Sequence, residues 1–148
     1  MDKNDLKSLA VSDVVVLVGA GLAYAGGYGG IKLVGELTVF AFEIILAFVI
    51  QWGMFIHAWV KKTEKYYDLT GSITYMTVTI TSVLISGNVD FRTILLMVLV
   101  LIWSGRLGTF LYKRIKRAGK DRRFDEIKKS ASRFFLTWTI QGLWVSFT

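Results

Sequence analysis

The chain divides into five apolar stretches separated by short polar connectors. Leu37–Val60 is interrupted only by Thr38, Glu43, Gln51, Gly53 and His57. At roughly 1.5 Å per helical residue this stretch reaches about 36 Å, enough to cross a hydrocarbon core about 30 Å thick. Gly71–Ser86 is apolar and hydroxyl-rich and carries no charge. Spans at roughly 11–30, 37–60, 71–87, 92–112 and 132–148 fit the whole pattern. Such short connectors suit neighbouring antiparallel helices. The expectation is an all-α fold in a single membrane domain covering 1–148, a polytopic integral membrane bundle of about five transmembrane helices.

Composition strengthens this reading. The chain is 53% hydrophobic and only 20% charged, with a mean hydropathy of +0.50, and its charges are segregated. Aromatic residues stand at span ends, as Trp59, Tyr66, Tyr67, Trp103 and Tyr112 do. With no cysteine, disulfides, thiolate catalysis and cysteine metal sites are excluded, and a single histidine argues against a zinc site. No metal is expected. The start, MDKNDLK, lacks the basic n-region of a cleaved signal, so the first span reads as retained.

Charge sets the orientation. The connector 61–69 carries Lys61, Lys62 and Lys65. The loop 113–131 and the residues just beyond it carry Lys113, Arg114, Lys116, Arg117, Lys120, Arg122, Arg123, Lys128, Lys129 and Arg133, against Asp121, Asp125 and Glu126. Two spans separate these connectors, so they share a face with the amino terminus. The opposite connectors, near Lys32–Glu36 and Gly87–Arg92, are nearly neutral. The positive-inside rule places the basic loops on the cytoplasmic side of a bacterial inner membrane or an organellar one. The net charge of +7 is then mostly one loop, which lipid headgroups or a phosphate ligand explain. Membrane lipid and other membrane chains are the expected partners, not nucleic acid.

Residues 13–27, DVVVLVGAGLAYAGG, imitate a dinucleotide-binding glycine turn, but Tyr24 occupies the third glycine position and no strand–helix alternation follows. The alternative is a transmembrane helix whose Gly19/Ala23, Ala23/Gly27 and Gly26/Gly30 pairs admit close helix packing. Gly26–Gly30 reads as a flexible corner ending that helix.

Within the second span, Glu43, Ile50, Met54, His57 and Lys61 share a helix face, the last four lying within about 40° of the direction of Glu43. A carboxyl at that depth is a functional candidate, unless a neighbouring helix satisfies it. Gln51, off this stripe, suits an interhelical hydrogen bond. In the fourth span Arg106, Phe110, Lys113 and Arg117 form one stripe, with Arg114 about 80° round. Arg106 and Arg114 stand about 12 Å apart along a helix, a spacing that could hold two phosphate groups or serve as ordinary interfacial anchoring. Gly105 and Gly108, flanking Arg106, admit a ligand or a helix.

TEKYYDLTGSITY at 63–75 and WSGRLGTFLYKRIKRAGKDRRF at 103–124, with FFLTWTIQGLWVS at 134–146 as a looser match, resemble the membrane proteins related to the steroid 5-alpha reductases. The resemblance implies an NADPH-dependent reductase made of helices, adding hydride to a conjugated double bond in a sterol-like or other lipid. It implies Arg106, Arg114, Asp121 and Arg123 as contacts for cofactor phosphate and ribose. It also implies Tyr67, Asp68 and Glu64 as catalytic groups that polarise or protonate a carbonyl. That family continues through helices carrying a His-Pro-Asn-Tyr…Gly-Glu stretch, whereas this chain has no proline and its one histidine precedes Ala58. The expectation is NADPH binding only where a partner chain completes the site. The alternatives are a non-catalytic structural subunit of a larger membrane complex and a lipid-binding scaffold.

Overall fold

The computed structural model describes residues 3–87 and 89–148; Met1 and Asp2 of the charged start, and Asn88 of the connector after the third span, lie outside the described residues. Five helices follow in order: α1 (Lys3–Gly27), α2 (Val39–Lys61), α3 (Tyr67–Ser86), α4 (Phe91–Ala118) and α5 (Ala131–Phe147). The first four are each long and apolar enough to cross a membrane. The fifth has 17 residues, about 25 Å of helix.

The helix ends are written in the sequence. Thr38 caps α2 by accepting from the Ala41 N–H (3.3 Å), Asp90 caps α4 by accepting from the Thr93 N–H (2.7 Å), and Ser130 caps α5 by accepting from the Arg133 N–H (3.4 Å). Gly87 and Gly119 end α3 and α4 with φ of 66° and 78°, a conformation that costs glycine little. The first helix begins at Lys3, well before the apolar run, and within it Ser8 and Ser12 satisfy their hydroxyls on the carbonyls four residues back (2.9 Å each). Likewise α4 runs past the predicted 112 to Ala118 and carries its basic turn beyond the apolar stretch. A small antiparallel hairpin, β1 (Lys32–Val34) with β2 (Leu37–Thr38), fills the first connector, turned by Gly35 at φ 57°. Strands so short leave no readable alternation.

α1, α2 and α5 pack on one another, α3 packs on α2, and α4 packs chiefly on α3. The glycine stripe of α1 is used for this: a Cβ on Gly19 would stand 2.8 Å from the Phe48 ring of α2, and Gly26 lies against Phe40. The stretch with the dinucleotide-turn appearance is therefore helix, in contact with other helices. Gly108 of α4 faces Ser72 of α3, where an added Cβ would come within 2.7 Å, so this glycine admits a helix. The polar face of α3 is satisfied internally: Thr70, Thr74, Thr77 and Thr81 each donate to the carbonyl four residues back. Gln51 makes the interhelical bond expected of it, to the Thr74 hydroxyl (2.9 Å). The buried aromatic core gathers Phe124, Phe134 and Trp138 with Ala58 at one end of the bundle.

Candidate functional site: a charged cluster over an aromatic core

That core end is also where the two basic connectors meet. Glu64, between α2 and α3, is 2% exposed. Its Oε1 accepts from the backbone N–H of Asp121 (3.1 Å) and its Oε2 from the Lys128 ammonium (2.6 Å). Asp68, in the first turn of α3, accepts at Oδ2 from both Arg114 (3.5 Å) and Arg123 (3.2 Å). Asp121 in turn grips the Arg123 guanidinium, with Nε at 3.0 and 2.9 Å from its two oxygens, and accepts from the Arg123 N–H (3.0 Å).

Local structure explains how residues so far apart in sequence arrive here. The positive φ of Gly119 turns the chain back after α4, and Asp121 starts a 3-10 turn, Arg122–Phe124. Phe124 then drops into the core against Tyr67 (ring centroids 4.9 Å) and Phe134 (6.0 Å). A second turn, Ile127–Lys129, presents Lys128 to Glu64. The loop is thus held by ion pairs above and an aromatic plug below. Asp5 of α1 accepts from Ser130 and Ser132, which brings the amino-terminal helix to the same end.

The electrostatics follow from these partners. Burial pushes the Glu64 carboxyl up, but Lys128 and the Asp121 N–H outweigh it and hold the group below its ordinary value. Hydrogen bonds from Arg123 lower the Asp121 carboxyl and, reciprocally, raise the Arg123 guanidinium. The side chains of Arg114 and Arg123 are 50% and 58% exposed, so both remain within reach of an anion from outside. Around them Lys113, Lys116, Arg117 and Arg122 are exposed and make no hydrogen bond or ion pair among the described residues.

Of the residues singled out from the sequence, the structure brings Glu64, Asp68, Arg114, Asp121 and Arg123 into one network. Tyr67 is adjacent but turns inward: its hydroxyl donates to the Thr137 carbonyl (3.0 Å) and its ring packs against Trp138 (5.1 Å). Arg106 stands apart, exposed on α4 in a shallow groove with Ile102, Trp103 and Phe110, and has no hydrogen bond or ion pair among the described residues. His57 is exposed, its ring edge-on to Tyr66 (6.2 Å). Lys128, the Asp121 N–H and Phe124 were not legible as site residues, because each meets a partner far away in sequence that no local pattern marks. Arranged this way, the cluster can bind an anion at its outer side, while Glu64, with both oxygens engaged, cannot exchange a proton unless Lys128 moves away.

No curated protein and no solved structure matches the chain. The family described as a protein of unknown function (DUF1295) matches residues 54–148, from the second half of α2 through α5, and so takes in every member of the cluster. The chain belongs to the DUF1295 family.

Proposed function

We propose that the cluster binds the phosphate groups of NADPH, and that the chain is the helical scaffold of a reductase of the steroid 5-alpha reductase-like lineage. Its substrate class is a conjugated double bond in a sterol-like or other lipid, and a partner chain completes the site. The family's association with steroid 5-alpha reductase-like proteins supports the lineage. One observation carries the phosphate reading: two guanidiniums, Arg114 and Arg123, converge on a single carboxylate oxygen, Asp68 Oδ2. In chemical terms that oxygen occupies the place of a phosphate oxygen, which arginine pairs recognise well. The donor set therefore fits the cofactor's phosphates, with Asp68 as the internal anion they displace and Asp121 holding Arg123 in position. Arg106, about 12 Å along α4 from Arg114, would serve a second phosphate. The cofactor, when bound, supplies hydride. Glu64, Asp68 and Tyr67 would hold or deliver the proton to the substrate carbonyl, Glu64 after parting from Lys128 and Tyr67 after its hydroxyl leaves the Thr137 carbonyl.

The test is an NADPH titration of the full chain in lipid nanodiscs excised from its native membrane together with its partner chains, followed by cofactor fluorescence. Arg114→Ala and Arg123→Ala each weaken binding about 10- to 100-fold, the scale of a lost charge-assisted hydrogen bond. Asp68→Asn tightens it, since the arginines lose their internal anion. Absence of binding, or binding indifferent to both arginines, removes this reading. A second reading has its own support: Glu64 and Tyr67 spend their polar atoms on Lys128, Asp121 and Thr137, as a clamp in a non-catalytic subunit would. Under it, Arg123→Ala lowers thermal stability and leaves NADPH without effect.

A further inference from the structure

The first helix, α1, has two unlike faces. Ser8, Ser12 and Gly19 are buried where it packs on α2 and α5. About a third of a turn round, Leu6, Leu17, Ala20 and Tyr24 lie within about 40° of the direction of Asp13. All five residues of this second face are exposed, Leu17 to 70% and Tyr24 to 79%. Gly21, at its edge, has nothing within 4 Å of where a Cβ would stand. Asp13 makes no hydrogen bond or ion pair among the described residues.

The depth of Asp13 makes this exposure costly. α1 has 25 residues, so any 18-residue crossing drawn along it includes Asp13. The neighbouring α5 gives the level. Asp5 meets Ser130 and Ser132 at the start of α5, and a Cβ on Gly19 would stand 3.7 Å from Leu143 near its end. The two helices therefore run in the same direction, and Asp13 is level with about Trp138, in the uncharged stretch 134–148. A lysine or arginine stem could carry its charge out to the interface, but the single methylene of aspartate cannot. Ionisable groups at such depth are costly against lipid and are found facing protein or a water-filled space.

Charge chooses the occupant. Lipid tails leave the carboxylate unsatisfied. A second copy, related by a two-fold axis along the membrane normal, sets Asp13 against Asp13, and like charges repel. A helix bearing a cation at that level satisfies it. We infer that this face of α1 is the docking surface for a membrane-spanning helix of another chain, one whose lysine or arginine pairs with Asp13. Ala20 and Gly21 let the two backbones approach closely. The inference does not rest on the NADPH reading. Asp13 lies outside the residues 54–148 matched by the family, and no arginine or carboxylate of the proposed phosphate site is on α1.

Synthetic leucine–alanine transmembrane helices, alike except for one guest residue at the depth of Asp13, serve as probes. The full chain, with a donor dye on Val34→Cys, is reconstituted with acceptor-labelled peptide in phosphatidylcholine vesicles. The lysine peptide is expected to give saturable energy transfer at a peptide-to-lipid ratio about 5- to 30-fold lower than the leucine peptide requires, the range of one interhelical hydrogen bond in a membrane. Asp13→Leu brings the two peptides level, and Asp13→Lys moves the preference to a glutamate peptide. Equal transfer from the lysine and leucine peptides with Asp13 in place overturns the inference, and this comparison needs no change at Asp13. A lysine preference that survives Asp13→Leu also overturns it, because the binding then lies elsewhere. Transfer between donor- and acceptor-labelled copies of the chain alone, lost in Asp13→Leu, would assign the face to self-association and overturn the choice of partner.

Discussion

Glu64 is a buried carboxylate held by two donors from the loop that follows α4, and its protonation carries a definite consequence. Its folded value lies below the ordinary 4.5, so its contribution to stability is complete above pH 4.5 and is lost as the pH falls through the lowered value. Asp121, lowered from 3.8 mainly by Arg123, adds to the same acid limb. Thermal denaturation in detergent followed from neutral to acid pH is expected to fall below about pH 4.5, and more shallowly in Glu64→Gln. Lys128→Ala leaves the carboxylate buried with the Asp121 N–H as its remaining partner, and should cost about 1–3 kcal/mol at neutral pH. A Lys128→Ala protein as stable as the wild type would show that the pair contributes nothing. The candidates Asp68, Arg114, Asp121 and Arg123 were readable because the motifs carrying them are local. Their pairing was not, since Asp68 and Arg123 are 55 positions apart. Whether Tyr67 faced the cluster or the core was equally hidden, because side-chain direction at a helix start depends on what packs there, here Phe124 and Trp138.

Between elements, small residues decide how closely helices approach. A Cβ on Gly108 would meet Ser72 of α3 at 2.7 Å, while one on Gly105 would meet the mobile methyl end of Met76 at 3.1 Å, and one on Gly53 meets nothing within 4 Å. Three substitutions with one chemistry should therefore diverge. Gly108→Ala forces α3 and α4 apart and should cost about 1–3 kcal/mol. Gly105→Ala should be near neutral, with Met76 giving way as helix propensity improves. Gly53→Ala should stabilise by about 0.5–1 kcal/mol. Thermal midpoints of the three variants, measured side by side, check the order; equal effects would mean that the close approach of α3 and α4 is not limiting. The apolar stretches foretold the helices because they are long and nearly uncharged. Their polar extensions, Lys3–Ala10 and Lys113–Ala118, escaped a hydropathy reading although they continue the same helices. The small pairs of α1 did announce close packing, and the structure supplies their partners as Phe48 and Phe40.

Across the whole molecule, alternation of the helices sorts the connectors to two ends. Contacts of Glu64 with Asp121 and Lys128, and of Asp5 with Ser130 and Ser132, join the amino terminus and both basic connectors at one end. The hairpin Lys32–Thr38 lies at the other, with the start of α4 lining the same cavity as the start of α2. Lys113, Lys116, Arg117 and Arg122, unpaired among the described residues, lie at the first end, and we propose from the positive-inside rule that this end faces the cytoplasm. The absence of cysteine makes this directly testable, since a single introduced thiol is the only one in the protein. Val34→Cys, at an exposed position on the hairpin, is expected to react with a membrane-impermeant maleimide in intact bacterial spheroplasts. Lys116→Cys, exposed on the last turns of α4, is expected to react only after the membrane is opened. The reverse pattern would overturn the orientation and with it the placement of the NADPH-binding reading on the cytoplasmic face. Labelling of both thiols in intact spheroplasts would be more serious: it would put the two ends on one side of the membrane, which helices of this length, alternating in direction, do not permit.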